Sequence, residues 1–229
     1  MKRYAVIVAG GQGVRMGADR PKQFLEIDGK PVLRHTVERF LAFDPSVEVI
    51  VVLPSAQKAW WRDYCRQSGF IERYSMVSGG ITRFHSVQNA LKYVGDDAVV
   101  AVHDGVRPAI SRALLERLFD AAARYKAVVP AVPVVESVRR MTDETESVPV
   151  DRGGMMLVQT PQLFDAAVLK AAYKQPFSTS FTDDASVVEA SGVPVHIIPG
   201  DRINLKITMP EDLPLAEGLL RIFSFGERP

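Results

Sequence analysis

The stretch Ala9-Gly10-Gly11-Gln12-Gly13-Val14-Arg15-Met16-Gly17 combines several glycines with a cation, and Arg20 and Lys22 follow within a few positions. Glycine lets a backbone approach a phosphate closely, and the loop N–H groups with the next helix N-terminus supply anion contacts. Cations around such a cradle suit a triphosphate whose charge moves in the reaction. In phosphoryl and nucleotidyl transfer the protein chiefly positions groups and stabilises developing charge. Two other glycine loops fit less well. A dinucleotide fingerprint requires a third glycine where Met16 stands and an unbroken helix where Pro21 stands. A Walker loop requires Gly-Lys-Ser/Thr, which the chain lacks. For the loop taken alone, a tight turn with incidental charge stays open.

Such a loop needs a scaffold, and the first half of the chain supplies an alternating one. Ala5-Val6-Ile7-Val8 is a continuous apolar run, as for a strand covered on both faces. Helical spacing follows over 32–41, a strand over 47–53, a helix over 56–67 and a short strand over 74–77. Helix 86–93, strand 98–102, helix 112–125 and a β-rich run over 127–133 continue the rhythm. The expectation is an α/β fold: a Rossmann-like, mostly parallel twisted sheet with helices on both faces. Ligands of such a sheet sit beyond the carboxyl ends of the strands. The rhythm breaks over 134–152, where residues 134–140 and 147–150 flank a polar turn at 142–146. That predicts a projecting β-hairpin arm, marginal by itself, that packs on a second subunit of a homodimer. Helices over 164–173, 183–190 and 210–223 and a strand over 195–198 complete one domain spanning 1–229 with the arm inside it.

Bulk properties agree with a globular protein and exclude several classes. The 229 residues are 47% hydrophobic and 24% charged, enough for a full core without staples. A formal net charge of +1 argues against a nucleic-acid coat or a polybasic membrane anchor. The single cysteine, Cys65, rules out a disulfide framework and reads as a small hydrophobe on a helix. No run approaches the roughly 18–20 apolar residues of a membrane helix, and residues 4–9 are too short for a signal sequence, so the cytoplasm is expected.

Several blocks in order carry a family resemblance. They are the glycine loop, Pro21-Lys22-Gln23-Phe24-Leu25, Gly29-Lys30-Pro31-Val32-Leu33, and Gly79-Gly80 with Arg83 and Ser86-Val87. His103-Asp104-Gly105-Val106-Arg107-Pro108, Val150-Asp151-Arg152 and Gln159-Thr160-Pro161-Gln162 follow, then Thr182-Asp183-Asp184-Ala185-Ser186 and Asn204-Leu205-Lys206-Ile207-Thr208-x-Pro210-Glu211-Asp212. In this order they resemble sugar-phosphate nucleotidyltransferases and, more narrowly, the 2-C-methyl-D-erythritol 4-phosphate cytidylyltransferase family. The resemblance implies the nucleotide-diphospho-sugar transferase type of fold and cytidylyl transfer from CTP to a polyol phosphate. By the same resemblance Arg15, Lys22, Arg152 and Lys206 are catalytic, and Ala9, Gly10, Gly11, Gly13, Gly80, Arg83, Ser86 and Asp104 bind CTP. Arg107, Ser137, Thr160 and Thr182 would bind the acceptor, with the arm reaching a partner's site. Asp104 closes a strand at the sheet's carboxyl edge, where one carboxylate with phosphate oxygens can hold Mg²⁺ or another divalent cation. The neighbouring His103 reads as packed or hydrogen-bonded rather than catalytic.

Three positions depart from the family's commonest pattern. Ser137 stands in place of threonine, Ile81 in a place often polar, and Ile203 where an acidic residue is frequent. Asp201 lies two residues before Ile203 and is not expected to take its place. These departures bear on the acceptor, for which ribitol 5-phosphate is the nearest rival. A nicotinamide oxidoreductase is disfavoured because Leu53-Pro54, not an acidic residue, ends the second strand. A non-catalytic nucleotide-binding module is disfavoured by Arg15, Lys22, Asp104 and Lys206 occurring together.

Overall fold

The structure, a computed structural model, describes residues 1–11 and 20–225, with side chains to residue 222. Gly13 and Arg15 therefore lie outside the described residues. In chain order the elements are β1 Lys2–Val8, β2 Glu26–Ile27, β3 Lys30–Pro31, α1 Val32–Phe43, β4 Glu48–Leu53, α2 Lys58–Gln67, β5 Tyr74–Ser78 and α3 Arg83–Leu91. They continue with β6 Ala98–Asp104, α4 Arg112–Ala122, β7 Ala127–Pro133, β8 Val138–Met141, β9 Ser147–Val150 and β10 Met156–Val158. The last are β11 Gln162–Asp165, α5 Ala166–Ala172, α6 Asp184–Ala190, β12 His196–Pro199 and α7 Asp212–Phe225.

The alternation of side chains along the strands builds two cores. Ala5, Ile7, Val49, Val51, Leu53, Val99 and Ala101 face one side, where Leu33, Val37 and Phe40 of α1, Trp61 of α2 and Leu114 and Leu118 of α4 cover them. Tyr4, Val6, Ile50, Val52, Val100 and Val102 face the other, under Phe84 and Val87 of α3, Leu169 of α5 and Val187 and Val188 of α6. A third cluster packs Ala216 and Leu220 of α7 against Ile27, Val32, Val106 and Ile207.

The eight-stranded sheet runs β10-β7-β11-β6-β1-β4-β5, with β12 also on β7. The chain moves outward from β1 to β4 and β5, then returns through α3 to place β6 on the other side of β1. A parallel crossover is right-handed, so this reversal moves α3 to the face opposite α1 and α2. It also leaves a crevice between the carboxyl ends of β1 and β6, where Val8 stands beside Asp104.

The sheet is mostly parallel, but β10 and β11 are antiparallel to their neighbours. The helix expected over 164–173 is corrected here: Gln162–Asp165 is a buried strand, and Asp165 then caps α5 by accepting from the Val168 N–H at 3.0 Å. The hairpin exists as a separate two-stranded sheet, β8 with β9, but its ladder starts at Val138, and residues 134–137 are not strand. No helix among the described residues is long and apolar enough to cross a membrane.

Candidate active site

The crevice is a cleft of about 250 Å³. Ala9, Gly10 and Gly11 enter it from the end of β1, and a 3₁₀ turn, Lys22–Phe24, forms one wall. That turn is pinned from behind. Phe24 is buried against Trp60 and Trp61, and the Gln23 amide donates to the Ala9 carbonyl at 2.9 Å and to Gln57 at 2.8 Å. Lys22 is thereby left facing the cleft, where its Nζ donates to the Ile207 carbonyl at 3.0 Å.

The opposite wall is the loop before α3. Thr82 caps this helix, its hydroxyl accepting from the His85 N–H. Gly80 is required by space: a Cβ there would lie 2.4 Å from His85 Cβ and 3.0 Å from its carbonyl carbon. The Ser86 hydroxyl accepts from the Gly80 N–H at 3.0 Å and donates its proton to the Thr82 carbonyl at 2.9 Å. What Ser86 can still offer a ligand is an acceptor lone pair.

Asp104 forms the floor, 8% exposed, with three cations around it. Oδ2 receives Lys206 Nζ at 3.0 Å and Arg107 Nε at 3.2 Å, whereas Oδ1 stands 3.7 Å from Arg83 Nε. Burial pushes the Asp104 carboxyl up, but Arg83, Lys206 and Arg107 together outweigh it and hold it well below the usual carboxylate range. The carboxylate is fixed from beneath as well. Its backbone N–H donates to Thr160 Oγ1 at 3.0 Å, and Thr160 Oγ1 lies 3.0 Å from His103 Nδ1. His103 Nε2 lies 3.1 Å from the Arg107 carbonyl, which can only accept, so Nε2 carries the proton and Nδ1 accepts from Thr160. Burial lowers the His103 pKa to about 4. His103 is thus a neutral, fully engaged support.

Of the expected site residues, Ala9, Gly10, Gly11, Lys22, Gly80, Arg83, Ser86, Asp104 and Lys206 line this one cleft. Arg107 and Thr160 lie buried beneath it, committed to Asp104, the Asn204 carbonyl and His103. Their hydrogen bonds hold the floor in place. Ser137, Arg152 and Thr182 are exposed and do not line it, and the Arg152 guanidinium donates to the Val135 carbonyl. Asp201 is engaged elsewhere, accepting from Arg117 at 2.7 Å and from Ser111, so it does not replace a carboxylate at position 203. Sequence reasoning missed Gln23 and Asp184 as working residues, although both stand inside quoted blocks. The Asp184 carboxylate is fully buried and accepts from Arg83 Nη2 at 2.6 Å.

Among the described residues no three His, Cys, Asp or Glu side chains cluster as a metal centre. The donor set at the floor is one carboxylate, with Oδ1 its less engaged oxygen. That fits a hard cation shared between Asp104 and ligand phosphate oxygens, the usual habit of Mg²⁺.

Comparison with known proteins gives the same placement. The family model for 2-C-methyl-D-erythritol 4-phosphate cytidylyltransferase matches residues 4–222. A protein of that name from Bacteroides fragilis is 53% identical over 220 residues, covering 96% of this chain and 100% of the relative. One from Phocaeicola vulgatus is 51% identical over 221 residues, with 96% and 100% covered. Among solved structures, the Thermus thermophilus enzyme of that name superposes with a TM-score of 0.78 at 33% identity, covering 96% of this chain and all of the other. The Francisella tularensis enzyme gives 0.81 at 28% identity, again with 96% and 100% covered. With Ala9, Gly10, Gly11, Lys22, Asp104 and Lys206 around one cleft, and with this match along nearly its whole length, the chain belongs to the 2-C-methyl-D-erythritol 4-phosphate cytidylyltransferase family.

Proposed function

We propose that this protein transfers the cytidylyl group of CTP to 2-C-methyl-D-erythritol 4-phosphate, releasing pyrophosphate, as a step of isoprenoid precursor synthesis. The observation that carries this reading is the convergence of glycine backbone, Lys22, Lys206, Arg83 and a low-pKa Asp104 in one cleft at the β1/β6 switch point. A phosphate oxygen of the acceptor attacks the α-phosphorus of CTP. A new P–O bond forms, the bond to the β-phosphate oxygen breaks, and pyrophosphate leaves with the electron pair. No protein nucleophile is required. The chain's task is to hold the two anions in line and to stabilise charge on the equatorial oxygens and the leaving group.

Lys22, whose Nζ bonds the Ile207 carbonyl, and Lys206 beside it both line the cleft and would supply that charge, with Arg15 as a further cation implied by the family resemblance. Asp104 would hold Mg²⁺, which neutralises part of the triphosphate charge when bound. The backbone of Ala9, Gly10 and Gly80 would read the base edge. Ser86 can only accept, which favours the amino group of cytosine over the carbonyl of uracil. Ser137 and Arg152, exposed on and beside the arm, would bind the acceptor in the cleft of a partner subunit, and Thr182 would bind it from its own exposed loop. The functional unit is then a homodimer. An exposed apolar set at the sheet edge, Met155, Met156, Leu157 and Val158, with Val135, Met141 and Val148 along the arm, supports this assembly.

Pyrophosphate release from CTP and Mg²⁺ tests the reading, with methylerythritol phosphate and ribitol 5-phosphate run as parallel acceptors. Release with the first and little with the second is expected. Equal or greater release with ribitol phosphate would overturn the acceptor, and none with either would overturn the reaction.

A further inference from the structure

Arg83 is shared between two carboxylates at unequal distances. Its Nη2 donates to Asp184 Oδ2 at 2.6 Å, while its Nε stands 3.7 Å from Asp104 Oδ1, within ion-pair reach but beyond a hydrogen bond. The Asp184 side chain has no solvent exposure, and a charge so placed persists only when its oxygens are occupied. Both are: the second, Oδ1, accepts from the Tyr173 hydroxyl at 2.6 Å. Tyr173 is itself clamped. Its ring stacks on Phe84, the neighbour of Arg83, at 4.6 Å, and its carbonyl accepts from Gln88 Nε2 at 2.8 Å. The capping box of Asp183 and Ser186 fixes the first turn of α6, on which Asp184 sits. Asp184 does not line the cleft, whereas Arg83 does.

Removing the Asp184 charge would leave Asp104 as the remaining ion-pair partner of the Arg83 guanidinium among the described residues. Oδ2 of Asp104 is already occupied by Lys206 and Arg107, so Arg83 would close on Oδ1, which takes no hydrogen bond among the described residues. A divalent cation entering with a triphosphate would then have to displace it. We propose that Asp184, backed by Tyr173, is a positioning residue that holds Arg83 off Asp104 and so keeps Asp104 Oδ1 open to a cation-bound nucleoside triphosphate. The inference rests on reading the cleft as the CTP site.

The test compares the full chain with Asp184→Asn and Tyr173→Phe. Calorimetry measures magnesium–CTP binding without acceptor, and steady-state kinetics and melting temperatures are taken alongside. The Asp184→Asn variant is expected to bind magnesium–CTP about tenfold more weakly, since a hydrogen bond to a charged group is lost. It should also need more Mg²⁺ for half-maximal rate, with KM for the acceptor unchanged. Tyr173→Phe keeps the ring and the carboxylate, and about threefold weakening in the same direction is expected. A staple between helices would lower the melting temperature and leave magnesium–CTP affinity untouched. That outcome in both variants overturns the proposal, and if Asp184→Asn does not fold, unchanged affinity in Tyr173→Phe alone overturns it. A wild-type chain that fails to bind magnesium–CTP would instead remove the underlying reading of the cleft.

Discussion

At the scale of single residues, charge decides the chemistry. Lys22 is aimed into the cleft by a turn whose other side chains are buried, so its ammonium is placed in advance. Lys22→Ala should lower kcat by a factor of about 10²–10³, the effect of deleting one donor that stabilises transition-state charge. Single-turnover kinetics checks this, and near-normal turnover contradicts it. Asp104 balances three cations, so Asp104→Asn leaves Arg83, Arg107 and Lys206 around a neutral amide and should cost about 3 kcal/mol in urea unfolding. An unchanged midpoint would mean the cations are solvated independently. His103 gives a pH signature of defined sign. Its folded pKa of about 4 lies below the ordinary histidine value, so between about pH 6.5 and pH 4 the unfolded chain binds the extra proton and stability falls as pH falls. His103→Gln should flatten that slope by up to about 1.4 kcal/mol per pH unit relative to wild type. Equal slopes would show that His103 is already protonated in the folded state or exposed to water.

At the scale of elements, what the sequence reveals follows from periodicity and burial. Strands β1, β4 and β6 are covered on both faces and read as apolar runs, and their neighbouring helices carry clear stripes. Strand β11 escapes such reading because Gln162–Asp165 runs directly into α5, so one window averages a strand and a helix. Its punctuation is the single cap, Asp165. Strand β10 has all three residues exposed and therefore no buried face to show as alternation. Of the cleft lining, Gly10, Gly11 and Lys22 were legible from their clustering in sequence, whereas Gly80, Arg83, Ser86 and Lys206, scattered along the chain, were named only through the family resemblance. The support beneath the cleft was not legible, because Thr160 meets Asp104 from 56 residues away and Asp184 meets Arg83 from 101. Element packing also sets costs. Phe40 is fully buried on α1 and packs edge-on to His103 at 5.2 Å, so Phe40→Ala should destabilise by about 3–5 kcal/mol in chemical denaturation. A loss below about 1 kcal/mol would place α1 loosely on the sheet.

At the scale of the whole molecule, the switch point of the sheet gathers the ends of β1 and β6 with two loops around one cleft. The arm stands apart as its own small sheet, mostly exposed, and such a two-stranded sheet is marginal alone, which supports the proposed dimer. Removing residues 138–150 should therefore turn a dimer into a folded monomer by light scattering, with the acceptor's KM raised more than that of CTP. A dimer that survives this deletion would move the interface elsewhere. The proposed transfer is read directly by phosphorus NMR of the protein with CTP, Mg²⁺ and 2-C-methyl-D-erythritol 4-phosphate. The three CTP resonances should give way to the coupled pair of a new diphosphate diester, with one equivalent of pyrophosphate. Persistence of CTP, or its conversion to CDP and inorganic phosphate, would contradict it.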